Sequence, residues 1–371
     1  MKMIIAMFFL AFFTASCNLS TANRVKKPVT LHIVLQERMS SVKSVEFSLD
    51  GKYFLARGGS RPIFVWKVKD QKLYKEIKIT DELFDTIRSI ISPRSFVNAN
   101  FTPDSRSIFA GLDNGTAVMI PLDSGEIIVY SFGDEERNAK HSVMSRSGKI
   151  LAMDGSYLNT ANNQLTHILG MQDSGLVISN DDKYLVTSSY HISTVKISDI
   201  TTGKEMQWYP ASFFIISQKV HDIDISPDND TIAAGLSNGD VRLYSIRQNK
   251  EIGNLPQGGW SVKARFSPDG KMLASSSDNN KVKLWDVASQ SRISTWKTDD
   301  GPNMIKWLRE THWLAIGTDS GELIIASTEK DETMFKDRVM EAEILDMDYL
   351  PAERLLLLCD KEGNISAFKI L

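Results

Sequence analysis

Charged residues that stand two positions apart are the feature of this sequence best suited to chemistry. Asp222 and Asp224 form one such pair, and Asp346 and Asp348 form another. In a β-strand, side chains two positions apart point to the same face, so each pair would act as a unit. Two carboxylates can bind a metal cation or pair with basic groups, but one strand alone does not supply the six oxygens that Ca²⁺ requires.

One motif matches that of a serine hydrolase. Ser237 lies in GLSNG (235–239), which fits the pattern G-x-S-x-G. In hydrolases this serine stands on a sharp strand-to-helix turn. GLDNG (111–115) and GTDSG (317–321) align with the same string, and each lies between two β-runs. We therefore predict that Ser237 lies in a hairpin turn and is not a nucleophile.

Metal, cofactor and nucleic-acid sites have no complete signature in the sequence. The six histidines are scattered, without His-x-His or Glu-x-x-His spacing, and no phosphate-binding glycine loop is followed by Lys-Ser or Lys-Thr. The 43 Lys and Arg residues are balanced by 46 Asp and Glu residues, whereas nucleic-acid binding needs a clustered basic excess. We expect no metal, cofactor or nucleic-acid partner. A metal site assembled across several repeats is the alternative.

The elements that must position the charged pairs are repeats of one β-rich unit. The clearest copy, FSPDGKMLASSSDNNKVKLWDV at 266–287, reads as a turn, a β-run, a second turn and another β-run. Copies follow one another about 43 residues apart, which is typical of propeller blades. The seven other copies are at 47–68, 101–122, 144–160, 178–200, 225–246, 307–327 and 349–370.

These repeats resemble those of the WD40 family, most strongly at 220–252 and 260–296, and the resemblance covers about residues 40–371. It implies an all-β propeller, for which eight copies predict eight blades. A seven-bladed ring, with the third copy as an insertion, is the alternative because that copy is short. The family's Gly-His pair is missing throughout, and only 284–286 reads Leu-Trp-Asp. The chain is therefore a divergent member, with most of the family's hydrogen-bonded tetrad absent.

The two ends of the repeat region predict how the ring closes. The last copy supplies only three β-runs, and VTLHIVLQ (29–36) is a strand without a blade. Pairing these segments would close the ring and leave no exposed edge. Residues 28–371 are therefore predicted to form a single propeller domain.

Charged residues are concentrated on the innermost strand of each repeat. Two positions of this strand face the central channel, where WD40 blades usually carry small residues. Ion pairs between neighbouring blades, such as Asp224 with Arg265 and Lys306 with Asp348, are the ordinary explanation. The alternative is a polar ring that binds a small ligand or a charged segment of a partner. The channel candidates are Glu46, Asp222, Asp224, Lys263, Arg265, Lys306, Asp346 and Asp348.

Two connections between blades are longer than the rest and should emerge on one rim. Residues 80–95 have the apolar spacing of an amphipathic helix, with Thr80 or Asp81 as its cap and Pro93 at its end. Residues 211–219 form an apolar loop. Each insertion would either pack onto the propeller or bind a partner protein. The candidates for partner contact are Leu83, Phe84, Ile87, Trp208, Tyr209, Phe213 and Phe214.

The N-terminus has the pattern of an export signal. A lysine, a run of ten apolar residues and small residues precede Cys17, so residues 1–17 resemble a bacterial lipoprotein signal that ends at a lipidated cysteine. The third residue before the cysteine is Thr14, where such signals usually have Leu. Residues 18–27 would then form a flexible tether. The alternative is ordinary cleavage and secretion without an anchor.

These features predict a non-enzymatic scaffold for protein–protein interaction, exported and lipid-anchored on the periplasmic or outer-envelope side of a bacterial membrane. Its partner would be a protein of the cell envelope. The alternative is an exported ligand-binding or enzymatic propeller that uses the charged channel. A eukaryotic secreted propeller is a further alternative, because NFT (100–102) and NGT (114–116) permit glycosylation.

Overall fold

The chain folds as eight four-stranded antiparallel sheets, the eight blades of a β-propeller. The eight-blade prediction is confirmed, and the short third copy is a complete blade. The predicted signal (1–17), Cys17 and the tether (18–27) lie outside the described residues. The computed structural model describes residues 31–39, 42–58, 62–80, 83, 93, 95–132, 141–154, 156–167, 175–189, 194–208 and 219–371.

The strands of the first four blades follow one another along the chain, from the innermost strand outward. Blade 1 has β2 (Ser44–Phe47), β3 (Tyr53–Arg57), β4 (Ile63–Lys67) and β5 (Leu73–Ile77); blade 2 has β6 (Phe96–Phe101), β7 (Ser107–Leu112), β8 (Thr116–Pro121) and β9 (Ile128–Ser131). Blade 3 has β10 (Ser142–Met144), β11 (Ile150–Met153), β12 (Ser156–Asn159) and β13 (Gln164–His167); blade 4 has β14 (Gly175–Ile178), β15 (Tyr184–Ser189), β16 (Thr194–Asp199) and β17 (Glu205–Trp208).

Blades 5 to 7 repeat this order. Blade 5 has β18 (Val220–Ile225), β19 (Thr231–Leu236), β20 (Asp240–Ser245) and β21 (Lys250–Pro256); blade 6 has β22 (Lys263–Phe266), β23 (Met272–Ser277), β24 (Lys281–Asp286) and β25 (Arg292–Lys297). Blade 7 has β26 (Pro302–Leu308), β27 (Trp313–Thr318), β28 (Glu322–Ser327) and β29 (Glu332–Arg338).

Blade 8 combines the two ends of the chain. It contains β30 (Ile344–Leu350), a short 3₁₀ helix (Pro351–Glu353), β31 (Leu355–Asp360) and β32 (Asn364–Ile370), and its outermost strand is β1 (Leu31–Arg38). β1 runs antiparallel to β32, with Leu31 opposite Ile370 and Arg38 opposite Asn364. Every blade therefore has four strands although the last copy supplies only three.

A repeated turn explains why the SPDG-like sequences recur. In blade 6 the Ser267 hydroxyl donates to Asp269 at 2.6 Å and accepts from the backbone N–H of Met272 at 2.9 Å. Gly270 has φ +72°, a conformation that glycine adopts without strain. Equivalent bonds join Thr102 to Asp104, and Ser226 to Asp228. This turn reverses the chain between the first and second strands of a blade.

The hydrophobic core lies between neighbouring blades. The second strands are its centre, and β19 and β31 are buried at every position. Between blades 1 and 2, Leu55 and Ile63 share a cluster with Phe96. Each such side chain contributes about 1.5–3 kcal/mol on burial. Cys359 lies in the core beside blade 1 and is fully buried, as the apolar run around it predicts.

Blade 6 keeps part of the hydrogen-bonded tetrad. The Trp285 indole N–H donates to the Ser275 hydroxyl at 2.7 Å, and that hydroxyl donates to Gln257 Oε1 at 2.7 Å. Gln257 and Ser275 are fully buried. The missing Gly-His pair therefore does not remove the network from this blade, because a glutamine supplies the acceptor.

The two rims of the ring differ in what they carry. The turn rim, as we name it, holds the turns between the first and second strands and between the third and fourth strands of the blades; β1 also begins on this rim. The connection rim holds the hairpin turns between second and third strands and the strand ends that lead from blade to blade. Ser237 lies in one of those hairpin turns, between β19 and β20, as predicted.

Candidate functional site

The innermost strands bring all eight predicted channel residues to the centre of the ring. Burial alternates along these strands, for example in β2, where Val45 and Phe47 are buried and Ser44 and Glu46 are half-buried. The alternation follows from the two-residue period of a strand. The half-buried residues form the wall of the channel.

Carboxylates of blade 5 bind the backbone of blade 6. Asp222 Oδ2 accepts from the N–H of Ala264 at 3.0 Å, and Asp224 Oδ2 accepts from the N–H of Phe266 at 2.8 Å. The innermost strand is the edge of its sheet, so these N–H groups have no partner within the blade. A carboxylate that accepts from an N–H makes a charge-assisted bond, which is stronger than a neutral one.

The same arrangement joins the last blade to the first. Asp346 Oδ2 accepts from the N–H of Val45 at 3.0 Å, and Asp348 Oδ2 accepts from the N–H of Phe47 at 2.8 Å. We call each Asp-x-Asp pair bound in this way a carboxylate clamp. Glu46 extends the pattern with one bond, since its Oε2 accepts from the N–H of Phe101 in blade 2 at 3.0 Å.

Two ion pairs connect the clamps to basic side chains. Lys306 Nζ lies 2.8 Å from Asp348 Oδ1, the pair that the sequence predicts. The prediction for Arg265 is wrong in its partner, because the guanidinium binds Asp222 and not Asp224. One oxygen of Asp224 accepts from a backbone N–H of blade 6 instead.

The clamps keep the basic groups charged. Burial alone would lower the pKa of Arg265, but the carboxylates of Asp222 and Asp224 outweigh burial and raise that pKa. Lys306 behaves in the same way: burial opposes its charge, and the Asp348 carboxylate raises its pKa. Lys263 differs, since burial lowers its pKa.

Lys263 makes its bonds to blade 7. Its Nζ donates to the backbone oxygen of Asn303 at 2.5 Å and to Asn303 Oδ1 at 2.7 Å. The Asn303 side chain in turn donates to Glu343 of blade 8. A chain of polar contacts therefore links blades 6, 7 and 8.

Three carboxyl groups of the channel bind protons more tightly than usual. Burial and the neighbouring Asp348 carboxylate raise the pKa of Glu46 to about 8. Burial raises the pKa of Asp224 and that of Asp346 to about 6, with neighbouring cations opposing the effect in both cases. At neutral pH, Glu46 is therefore mostly protonated, and the two aspartates are mostly ionised.

Glu46→Gln should remove a loss of stability at alkaline pH. The folded state binds more protons than the unfolded state between the ordinary pKa of 4.5 and the folded value of about 8, so stability falls as pH rises through this window. The amide that replaces the carboxyl group cannot ionise. At pH 9 the variant should be more stable than the native protein by on the order of 1–3 kcal/mol, measured by urea unfolding.

At pH 4 the two proteins should have equal stability, because Glu46 is then mostly protonated in both the folded and the unfolded state. Glu353→Gln, a change at an exposed acid of blade 8, is the control for losing one negative charge. Parallel stability curves for Glu46→Gln and the native protein from pH 4 to 9 would contradict the assignment.

A polar cavity of about 420 Å³ lies at the inner edge of blades 7, 8, 1 and 2, where their innermost strands meet. Glu46, Asn98, Lys306 and Asp348 are among its lining residues. Asn98 Nδ2 donates to the backbone oxygen of Ser142 in blade 3 at 2.5 Å. Within the described ranges, no group of three His, Cys, Asp or Glu side chains is placed to hold a metal ion. The lining of this cavity can therefore form hydrogen bonds with a ligand, and its Lys306 and Asp348 side chains already pair with each other.

The predicted partner-contact residues divide into two groups. Leu83 and Trp208 are 4 % and 6 % exposed, so the prediction that they face a partner is wrong for these two. Leu83 packs in the core between blades 1 and 2, and Trp208 stacks on Tyr244 at 5.0 Å between ring centres. The other candidates, Phe84, Ile87, Tyr209, Phe213 and Phe214, lie outside the described residues.

The backbone partners of the clamps differ from the side-chain partners that the sequence predicts. The strand period places the carboxylates on the channel side but does not identify the groups that they bind. The signal was present as DID (222–224) and DMD (346–348), which occupy the same position in two repeats. A pair of acceptors at that spacing matches two N–H groups two residues apart on a neighbouring strand.

Two segments of the chain, 212–245 and 256–286, match the family model described as "WD domain, G-beta repeat". Human WD repeat-containing protein 55 is 31 % identical over 152 residues, which is 39 % of this chain and 39 % of that protein. Transcription factor unc-37 of Caenorhabditis elegans is 24 % identical over 179 residues, which is 48 % of this chain and 28 % of that protein. The matched regions thus span well under half the length of these relatives.

The fold has a close counterpart among solved structures. The computationally designed protein Ika8 superposes with a TM-score of 0.72 at 14 % sequence identity, over 90 % of this chain and 98 % of the designed one. At this identity the likeness concerns the fold alone. With the eight four-stranded blades, it identifies the fold as an eight-bladed β-propeller, in which the segments 212–245 and 256–286 are similar to WD40 repeats.

Proposed function

We propose that this protein is a non-enzymatic scaffold that presents the connection rim of its propeller to a protein partner. WD40 propellers generally serve protein–protein interaction. The observation that carries the proposal is what the carboxylates of the channel bind. The carboxylates of both clamps bind the backbone of the next blade, so they hold the ring together and are not free for catalysis.

The connection rim is the proposed docking surface because both long insertions join it. The strands that flank residues 78–95, β5 and β6, end and begin at this rim, and so do β17 and β18, which flank residues 209–219. Thr80 Oγ1 accepts from the N–H of Leu83 at 3.2 Å, the contact of a helix cap. Aromatic residues on a rigid scaffold are frequent anchors of interfaces. We assign that role to Phe84, Tyr209, Phe213 and Phe214.

Export and anchoring complete the proposal. Residues 1–17 would direct the chain out of the cytoplasm and Cys17 would carry the lipid, so the partner is a protein of the cell envelope. In the described ranges, no helix has the length and apolarity needed to span a bilayer. Since β1 begins on the turn rim, a tether at 18–27 leads to that rim. The connection rim would then face away from the membrane.

Photo-crosslinking in living cells tests the docking surface. A photoreactive residue at position 84 or 214 of the tagged full-length protein should capture the same partner, identified by mass spectrometry. Leu49 on the turn rim is 64 % exposed and is the control site. Capture of that partner from position 49 but not from 84 or 214 would contradict the proposal. Mass spectrometry of the N-terminal peptide, compared between native protein and Cys17→Ala, tests the lipid.

One observation favours a second candidate, a small-ligand function of the channel. The cavity of about 420 Å³ is open to a ligand, and Glu46 presents a neutral carboxyl group there at pH 7. This function requires a specific small molecule that raises the melting temperature, with loss of the shift in Glu46→Ala or Lys306→Ala, two residues that line the cavity. Absence of any shift across metals, quinones and glycans would leave the scaffold function alone.

A further inference from the structure

A groove of about 810 Å³ lies on the turn rim, between blade 1 and blade 8. Its apolar lining includes Phe47 and Phe54 of blade 1 and Leu355 and Ala367 of blade 8. These four side chains belong to the core that joins the two blades. The groove therefore opens onto the seam where the last blade meets the first.

Lysines surround this apolar lining. Lys67, Lys69 and Lys369 line the groove and make no ion pair with any described residue. Lys67 Nζ lies 5.0 Å from the centre of the Tyr74 ring, which attracts a cation but does not neutralise it. Lys52 is the exception, because its Nζ lies 2.9 Å from Asp50. Glu353 is the other acid of the lining.

We propose that this groove binds an extended acidic segment of a partner protein that carries an aromatic or aliphatic anchor. The apolar lining would take the anchor, and Lys67, Lys69 and Lys369 would pair with carboxylates on either side of it. The proposal rests on the scaffold function, because the segment belongs to a protein partner, but it uses the opposite rim.

The chain's own N-terminal segment has the wrong charge for this groove. Residues 18–30 contain Arg24, Lys26 and Lys27 and no acidic residue. Like charges at short range disfavour binding. The lysines thus select an acidic occupant from another protein.

Occupancy of the groove should strengthen the ring. The groove is lined by the first and last blades, so a bound segment contacts both sides of the seam. A ligand that binds only the closed ring stabilises it in proportion to the logarithm of its concentration. Binding and an increase in melting temperature should therefore occur together.

The probe is a fluorescein-labelled peptide of sequence EEDFELEE, compared with KKKFKLKK, in which lysines replace the acids. Fluorescence anisotropy with the full-length protein at low salt should show binding of the acidic peptide and at least tenfold weaker binding of the basic one. Binding of the acidic peptide should weaken with added salt, because exposed charges are screened. An increase in melting temperature with the acidic peptide should accompany binding.

The variant Lys67→Glu/Lys69→Glu/Lys369→Glu should lose at least tenfold in affinity for the acidic peptide and gain affinity for the basic one. The matched control is Lys204→Glu/Lys250→Glu/Lys271→Glu, three exposed lysines of the same rim in blades 4, 5 and 6. It should change affinity by less than twofold. The gain for the basic peptide shows that the groove variant is folded.

Equal binding of the two peptides, or equal loss in groove and control variants, would overturn the proposal. A lipid ligand would also overturn it. In that case, vesicles with anionic lipid would bind to the native protein but not to the groove variant, and the acidic peptide would bind to neither protein. The crosslinks from positions 84 and 214 do not involve the groove. Intact crosslinks with no peptide binding would therefore reject the groove and leave the scaffold function standing.

Discussion

Deletion of β1 should have the largest effect on this protein, a loss of several kcal/mol that leaves the ring unstable or aggregated. β1 pairs with β32 from Leu31↔Ile370 to Arg38↔Asn364, and each backbone hydrogen bond contributes about 1 kcal/mol. A domain of this kind has about 5–15 kcal/mol of stability in total. Without β1, the N–H and C=O groups of β32 become an exposed edge that pairs with other chains.

The deletion is tested with two variants, one that begins at residue 28 and one that begins at residue 39. Circular dichroism during heating should show an unchanged melting temperature for the first and a lost or broadened transition for the second. A synthetic peptide LHIVLQER (31–38) should restore part of the transition as its concentration rises. If the variant that begins at residue 39 melts like the native protein, β1 does not stabilise the ring.

Asp348→Ala should destabilise the protein by about 2–3 kcal/mol. The change leaves the N–H of Phe47 without an acceptor and Lys306 without its carboxylate. The side chains of Lys306 and Asp348 are 35 % and 18 % exposed to solvent, so water replaces part of the lost interaction. Urea unfolding at pH 7 measures the loss.

Three further variants separate the contributions at this position. Asp348→Asn keeps an acceptor for the N–H of Phe47 and should cost less than the alanine change. Lys306→Ala/Asp348→Ala should cost less than the two single changes added together, because the single change at Asp348 leaves a cation unpaired. Glu353→Ala, in the exposed 3₁₀ helix, should change stability by less than about 0.5 kcal/mol. A loss for Asp348→Ala as small as this control would contradict the clamp.

The fold could be predicted from sequence because its signals are local and repeated. The turn at 267–272 uses only neighbouring residues, Ser267 and Asp269 among them. Each copy of this turn predicts one hairpin, and the tandem copies predict the number of blades. The strand at 29–36 also had to belong to the ring, because the last copy supplied three strands where a blade needs four.

The channel site could be predicted only in part, because its contacts join blades that are distant in sequence. The period of the strand placed Asp222 and Asp224 on the channel side. It did not predict that Asp224 would accept from the backbone N–H of Phe266 or that Arg265 would form its ion pair with Asp222. Those choices depend on the offset between adjacent sheets, for which a single sequence has no local signal.

Apolar residues in the insertions show a similar limit. The spacing of Leu83 and the other apolar residues of 80–95 predicts one apolar face of a helix. The same spacing results whether this face packs on its own propeller or on a partner protein. The structure places Leu83 against blades 1 and 2, and Trp208 against Tyr244. Only the three-dimensional arrangement separates these two outcomes.

The bond between Asp346 and Val45 joins residues 301 positions apart. During synthesis, blades 1 to 7 can each form from a continuous stretch of chain soon after it leaves the ribosome. β1 emerges first but has no partner until β32 emerges at the end. Contacts so distant in sequence form late and slow the folding of a chain. The first strand to be made is thus the last to be paired, and a nascent chain must keep it from aggregating for nearly the whole time of its synthesis.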